Sequence, residues 1–217
     1  SLTDTGTIAV TITAVNDRPD AVDDQATTAE DTPLSIDVLA NDVDVDAGDV
    51  LTITAVGSPV HGAAAISGTL IVYTPTLHFH DTDVFTYTIR DTDSLTDTAV
   101  VTVTVTAVND PPNAVDDTGA TNEDTPLTLA VLDNDNDVDS DPLTLTAVGA
   151  PLHGSASLSG TFAVYTPTLG IGGMDVFTYT IEDTGHLTDT ATVTVTVNRA
   201  PQAVDDEVST NEDTATS

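Results

Sequence analysis

The sequence predicts an all-β chain made of tandem seven-stranded Greek-key sandwiches, two of them complete. Three observations lead there. Apolar and polar residues alternate with period two through most of the chain, as in strands with one buried and one wet face. No window carries the 3.6-residue period of an amphipathic helix. Short motifs also return about every 90 residues. Ala-Val-Asp-Asp stands at 21–24, 114–117 and 203–206, and Tyr-Thr-Pro-Thr at 73–76 and 165–168. Asp-Val-Phe-Thr-Tyr-Thr-Ile stands at 83–89 and 175–181, and Leu-Thr-Asp-Thr at 2–5, 95–98 and 187–190. Solenoid repeats run to roughly 20–50 residues, so each longer copy here is expected to fold as a small domain. The expected boundaries are 17–109 and 110–198 for the complete copies. Residues 1–16 then read as the last strand of a preceding repeat, and 199–217 as the first strand of a following one.

Within the first copy the strands are expected at about 22–29, 34–38, 51–56, 62–66, 69–74, 84–90 and 96–106. In the second strand Leu34, Ile36 and Val38 alternate with Ser35 and Asp37; in the third, Leu51 and Ile53 alternate with Thr52 and Thr54. Phe85, Tyr87 and Ile89 share one face of the sixth, opposite Thr86 and Thr88. Val101, Val103 and Val105 share one face of the seventh, opposite Thr102, Thr104 and Thr106. Clusters of Gly, Pro, Asn and Asp separate most of these runs. Seven short strands in about 90 residues describe an Ig-like sandwich.

The charge is one-sided. Against 36 acids there are three basic residues, Arg18, Arg90 and Arg199, and no lysine, for a formal net charge of -33. Such a surface excludes nucleic acid, whose phosphates need cations, and opposes an anionic membrane. No stretch approaches the roughly 18 apolar residues of a membrane span. Without cysteine there are neither disulfides nor thiolate metal sites. Divalent cations are the natural counter-charge.

The acids cluster. One run holds Asp42, Asp44, Asp46 and Asp49, and the matching run of the second copy holds Asp135, Asp137, Asp139 and Asp141. Carboxylates packed on one short loop repel unless a cation sits among them, and Ca2+ takes six to eight such oxygens. In a seven-stranded sandwich the chain arrives at one end and leaves at the other. The second-to-third and sixth-to-seventh loops lie at the incoming end, and the first-to-second, third-to-fourth and fifth-to-sixth loops at the outgoing end. The incoming end of the second copy is thus expected to hold Asp135, Asp137, Asp139, Asp141 and Asp183. That of the first copy would hold Asp42, Asp44, Asp46, Asp49 and Asp91. The outgoing end of the first copy is expected to present Glu30, Asp31, Asp81 and Asp83. With the connector residues Asn109 and Asp110 these make the candidate calcium ligands. Arg199 stands where the central connector has Asp110, so cation binding is expected to be weakest there.

Thr-Ile-Arg-Asp at 88–91 precedes a Thr/Val strand that ends in Ala-Val-Asn-Asp-Pro-Pro at 107–112. This resembles the end of a cadherin repeat. Asn-Glu-Asp-Thr-Pro at 122–126, Val-Leu-Asp-Asn-Asp at 131–135 and Tyr-Thr-Pro at 165–167 resemble the cadherin-like and Ig-like repeats of large bacterial RTX-type adhesins. The resemblance implies calcium between successive domains, with Glu30, Asn109, Asp110, Asp135, Asp137 and Asp183 at the matching ligand positions. The acid triplet that cadherins carry before the penultimate strand has only Asp81 and Asp83 to answer it.

Other readings fare less well. An EF-hand loop fails because its bidentate Glu position holds Ile53 in one copy and Thr146 in the other. His78-Phe79-His80 is replaced by Gly170 and Gly172 in the second copy, so a histidine metal site is not part of the shared design. There is no nucleophile-elbow motif, and the paired carboxylates fall at domain ends, so no enzyme is expected. The sequence therefore predicts an extracellular, cell-surface extender of an adhesin or fibre, stiffened by Ca2+. Its partners are neighbouring repeats of the same protein, in a shaft able to extend as a homopolymer or fibre. The rival is a carbohydrate- or protein-binding module, which the absence of Trp and the scarcity of unpatterned aromatic residues disfavour.

Overall fold

In the computed structural model, which describes residues 2–201, 203–209 and 212, the chain divides into two compact units, Ser1–Val108 and Asn109–Ser217. All regular structure among the described residues is β.

The first unit holds β1 (Asp24–Ala29), β2 (Leu34–Ile36), β3 (Thr52–Val56), β4 (Gly62–Ser67), β5 (Leu70–Pro75), β6 (Asp81–Arg90) and β7 (Thr96–Thr106). They form a four-stranded sheet, β1-β7-β6-β3, and a three-stranded sheet, β2-β5-β4. β6 and β7 pair antiparallel from Asp81↔Val105 to Arg90↔Thr96. β1 pairs parallel to β7, from Asp24↔Val101 to Ala29↔Thr106. The chain then crosses to the other sheet at β2. β4 and β5 close on a two-residue turn whose first residue, Gly68, has φ 67°, as a primed hairpin turn requires.

Alternation along β6 and β7 builds the core. Phe85, Tyr87 and Ile89 point inward from one, and Ala99, Val101, Val103 and Val105 from the other. They meet Ile36, Val38, Ile71 and Tyr73 of the opposite layer. Tyr73 and Phe85 stack with ring centroids 6.0 Å apart, within the 4.5–7 Å typical of aromatic pairs.

The second unit repeats the plan with β8 (Asp117–Asn122), β9 (Leu127–Leu129), β10 (Thr144–Val148), β11 (Gly154–Ser159), β12 (Phe162–Pro167), β13 (Gly173–Glu182) and β14 (Thr188–Asn198). Its sheets run β10-β13-β14-β8 and β11-β12-β9. Its core joins Val131, Leu145, Ala163 and Tyr165 to Phe177, Tyr179, Ile181, Ala191, Val193, Val195 and Val197.

Three expectations need correction. β6 starts at Asp81, not 84, so Asp81 and Asp83 are strand residues paired with Val105 and Val103 rather than loop residues. β1 starts at Asp24, not 22. The Ala21 and Val22 N–H groups donate instead to the carboxylates of Asp97 and Asp42, at 3.0 and 2.7 Å. Residues 2–19 form no strand despite their Ile/Val/Thr alternation, and Ile8, Val10 and Ile12 are exposed. A strand needs a partner ladder for its backbone groups, and none lies beside them among the described residues. Part of the expected strand in 199–217 lies outside the described residues; 203–209 take none.

Candidate metal centre

The acidic run of the first unit fills the loop between β2 and β3. Asp44, Asp46 and Asp49 each place a carboxylate oxygen so that all three oxygens lie within 4.8 Å of one another. At an effective dielectric near 20, two unit charges at that distance repel by roughly 3 kcal/mol. One oxygen of Asp44 and one of Asp46 hold the loop: Asp44 Oδ1 accepts the Asp46 N–H at 2.8 Å and Asp46 Oδ2 the Asp17 N–H at 2.7 Å. Asp44 Oδ2 and Asp49 Oδ2 are buried and receive no donor. Mutually close, donor-starved carboxylate oxygens fit a hard cation such as Ca2+, which binds such oxygens at 2.3–2.6 Å.

The second unit repeats this grip. Asp137 Oδ1 accepts the Asp139 N–H at 2.8 Å and, more weakly, that of Asp141 at 3.5 Å. Asp139 Oδ2 accepts the Asp110 N–H at 2.7 Å. Asp137 Oδ2 is buried without a donor. The Asn-Asp pair that precedes each domain is bound to its loops in both units. Asn16 Nδ2 donates to Asp91 Oδ2 at 2.9 Å, and Asn109 Nδ2 to Asp183 Oδ2 at 2.8 Å. The other oxygens of Asp91 and Asp183 cap the turn after the sixth strand through the N–H groups of Leu95 and Leu187. Burial alone would raise the Asp183 carboxyl. The Asn109 amide, the Leu187 and Gly185 N–H groups and His186 outweigh it and hold it below the ordinary value. A carboxylate offers about four lone-pair sites, so Asp91 and Asp183 keep capacity for an ion. The structure thus gathers Asp44, Asp46 and Asp49 in one loop and Asp137, Asp139 and Asp141 in the other. Asn109, Asp110 and Asp183 lie on the second unit's loop set.

The outgoing-end acids of the first unit do separate jobs. Glu30 is buried; Oε1 accepts the Val108 N–H at 2.6 Å, and Oε2 lies 3.9 Å from His80 Nδ1. Asp31, at φ 57°, takes the His78 N–H at 2.9 Å and so ties the β5–β6 loop. Asp81 is exposed and accepts the N–H of Thr82 at 2.7 Å.

Asp83 leaves the candidate ligand set. It is 2% exposed and points inward on the Phe85 face of β6. Its two oxygens accept the N–H groups of Val60, His61 and Val84 and the Tyr73 hydroxyl, each at 3.0 Å. Asp175 does the same with Leu152, His153, Val176 and Tyr165 at 2.9–3.0 Å. Desolvation, reinforced by the Asp175 hydrogen bond and charge, pushes the Tyr165 phenol up to about 12.

Asp42 and Asp135 also part from their runs. Each turns under the sandwich, where Oδ1 accepts a tyrosine hydroxyl, Tyr87 or Tyr179, at 2.9 Å and the N–H of Val22 or Val115 at 2.7 Å. Beside them lie Asp24 and Asp117, which sequence reasoning missed. Burial raises the carboxyls of Asp24, Asp42 and Asp117 above the ordinary range, and neighbouring acids add to it. Their mark in the sequence is the repeated Ala-Val-Asp-Asp, whose last residue is Asp24 or Asp117.

Residues 16–104 and 109–196 each match the bacterial Ig domain. The chain belongs to the bacterial Ig domain family. Among solved structures, it is similar to EC1-2 of human mucin-like protocadherin, at 20% identity and TM-score 0.46, over 84% of this chain and 98% of that one. It is similar to human CDH23 EC21-23 at 16% identity and TM-score 0.49, over 83% and 69%. An endo-fucoidan hydrolase of glycoside hydrolase family 107 is similar at 16% identity and TM-score 0.31, over 83% of this chain and only 28% of its own. No curated protein matches by sequence. Bacterial Ig domains are typically extracellular modules, and no helix among the described residues is long and apolar enough to cross a membrane. In the second bacterial Ig domain Arg199 Nε lies 3.8 Å from Glu123 Oε2, while Glu123 Oε1 accepts the Ala200 N–H at 3.0 Å.

Proposed function

We propose that this chain is an extender segment of an extracellular, cell-surface adhesin or fibre, stiffened by Ca2+ held on the acidic loops of its bacterial Ig domains. The observation that carries this reading is the convergence of one carboxylate oxygen each from Asp44, Asp46 and Asp49 within 4.8 Å, on a loop where Asp44 Oδ2 and Asp49 Oδ2 are buried without donors. In the second domain Asp137 Oδ2 is likewise buried without a donor, on a loop whose Asp139 and Asp141 N–H groups donate to Asp137 Oδ1. Asp44, Asp46, Asp49 and Asp91 would hold the ion in the first domain. Asp137, Asp139, Asp141 and Asp183, with Asn109 and Asp110, would hold it in the second. The ion would neutralise the loop and lock the connector that the same acids already grip through the Asp17 and Asp110 N–H groups. Restricting those connectors would stiffen the tandem. The partners are neighbouring repeats of the same protein, within one shaft or a fibre. Arg199, paired with Glu123, brings a cation to the trailing connector and opposes metal there.

Calorimetric titration with CaCl2 tests the loop. Asp137→Ala removes a charge and a coordinating oxygen, whereas Asp20→Ala removes a carboxylate outside the loop set. Affinity is expected to fall much further for Asp137→Ala. Equal losses would reduce calcium to diffuse screening and sink the proposal.

A further inference from the structure

A second oxygen-rich nest lies inside each domain, apart from the outer loop. In the first, the Tyr87 hydroxyl oxygen is 2.9 Å from Asp42 Oδ1, 3.0 Å from the Val22 carbonyl and 3.2 Å from the Val38 carbonyl. The Asp24 carboxyl lies beside the same hydroxyl. One hydroxyl proton cannot serve four acceptors. The other donors at this point are the Val22 N–H, which goes to Asp42 Oδ1, and the Asn41 amide, which goes to the Val22 and Asp23 carbonyls and also faces the Asp24 carboxyl. Asp24 Oδ2 and Asp42 Oδ2 are left buried with no donor, and Asp42 is only 9% exposed.

The second domain reproduces the shortage. Tyr179 Oη lies 2.8 Å from the Val115 carbonyl and 2.9 Å from Asp135 Oδ1. The Val115 N–H goes to Asp135 Oδ1 and the Asn134 amide to the Val115 and Asp116 carbonyls. Asp117 Oδ2 and Asp135 Oδ2 are again buried without donors. A buried carboxylate oxygen left without a partner is costly. The same pair of orphaned oxygens, kept in both domains under a tyrosine hydroxyl, needs a common counterpart.

We propose that each domain holds an internal divalent cation, with Asp24 and Asp42 as carboxylate ligands in the first and Asp117 and Asp135 in the second. Two carboxylates match the charge of Ca2+, and an all-oxygen nest matches its hardness. The adjoining tyrosine hydroxyl is then free to give its proton to a carbonyl. Because Asp24 and Asp117 lie outside the loop ligands, this ion is separate from the one on the outer loop and would brace the first strand to the sandwich.

Tyrosine resonances test it, because the chain has four tyrosines. Tyr87 and Tyr179 line the nests, and Tyr73 and Tyr165 are tied to Asp83 and Asp175. The full chain, carbon-13 labelled at the tyrosine rings, is titrated with CaCl2. Saturable shifts are expected at Tyr87 and Tyr179, with Tyr73 and Tyr165 little changed. A variant combining Asp24→Asn with Asp117→Asn should lose those shifts while keeping the Tyr73 and Tyr165 resonances as evidence of folding. A variant combining Asp44→Ala with Asp137→Ala should keep them. Three outcomes would overturn the proposal: no shift in the wild type, shifts that move with pH but not calcium, or shifts lost in the Asp44/Asp137 variant. The first two point to a shared proton, the third to an effect of the outer loop. Unaltered calcium affinity in the Asp44/Asp137 variant would instead sink the loop site and leave the nests standing.

Discussion

Replacing Asp83 by Ala separates a fold-holding acid from a calcium ligand. The substitution leaves three donors from outside its own strand without an acceptor: the Val60 and His61 N–H groups and the Tyr73 hydroxyl. A hydrogen bond to a charged group contributes about 1.5–3 kcal/mol, and an unsatisfied buried donor forfeits its hydration as well. The Tyr73 hydroxyl belongs to a fully buried side chain, whereas Val60 and His61 sit on an exposed loop that water can reach. The expected loss is therefore about 3 kcal/mol, below the sum of three separate bonds. In a domain of this size that lowers the first domain's melting temperature by roughly 12–24 °C. The assay is differential scanning calorimetry of wild type and Asp83→Ala, each in chelator and in CaCl2. The Asp83→Ala drop should be the same in both, and the calcium-induced rise should survive. A drop of less than about 3 °C, or loss of the calcium-induced rise, would refute the reasoning and return Asp83 to the ligand set. Tyr73→Phe should reproduce about half the loss and couple to Asp83→Ala in a double-mutant cycle.

Asp81 occupies φ 152°, where the second domain has Gly173 at φ 124°. Asp81→Gly should therefore raise the first domain's stability by about 0.5–1 kcal/mol, read by denaturant unfolding, and Gly173→Asp should lower the second's by about 1–3 kcal/mol; opposite signs would sink the strain argument. In chelator, stability should also have a maximum on the acid side of neutrality. The raised carboxyls of Asp24, Asp42 and Asp117 disfavour the fold above their folded pKa, and that penalty fades as pH falls through it toward the ordinary 3.8. The lowered carboxyls of Asp116 and Asp183 contribute stability above 3.8 that is lost as pH falls below it through their folded pKa. Melting temperature should thus pass through a maximum as pH falls from neutrality toward 3.8 and decline below it; a steady fall from neutrality would contradict the buried-acid account.

The strands were legible because period-two alternation is local. Phe85, Tyr87 and Ile89 announce their face without help from elsewhere. The start of β6 was misread because Asp81 and Asp83 look like loop residues by composition. Yet Asp83 continues the inward series of Phe85, Tyr87 and Ile89, and only the distant Val60, His61 and Tyr73 donors make an inward acid tolerable. Tertiary partners likewise divide the acidic runs. Asp42 turns inward because Tyr87, 45 residues away, donates to it, while Asp44 and Asp46 stay on the loop. The parallel pairing of β1 with β7 depends on a crossing between sheets that no local pattern records. Alternation in residues 7–15 forecast a strand, but alternation names a face and supplies no ladder.

The central claim is that calcium on the acidic loops stiffens the tandem, and small-angle scattering tests it most directly. The chain is measured in CaCl2 and in chelator, beside a variant combining Asp137→Ala with Asp139→Ala. The account predicts a longer maximum dimension and a narrower spread of conformations in calcium, both lost in chelator and in the variant. Mg2+ should substitute poorly, because it gives up its water reluctantly. Identical scattering with and without calcium, or a calcium response unchanged in the variant, would contradict it.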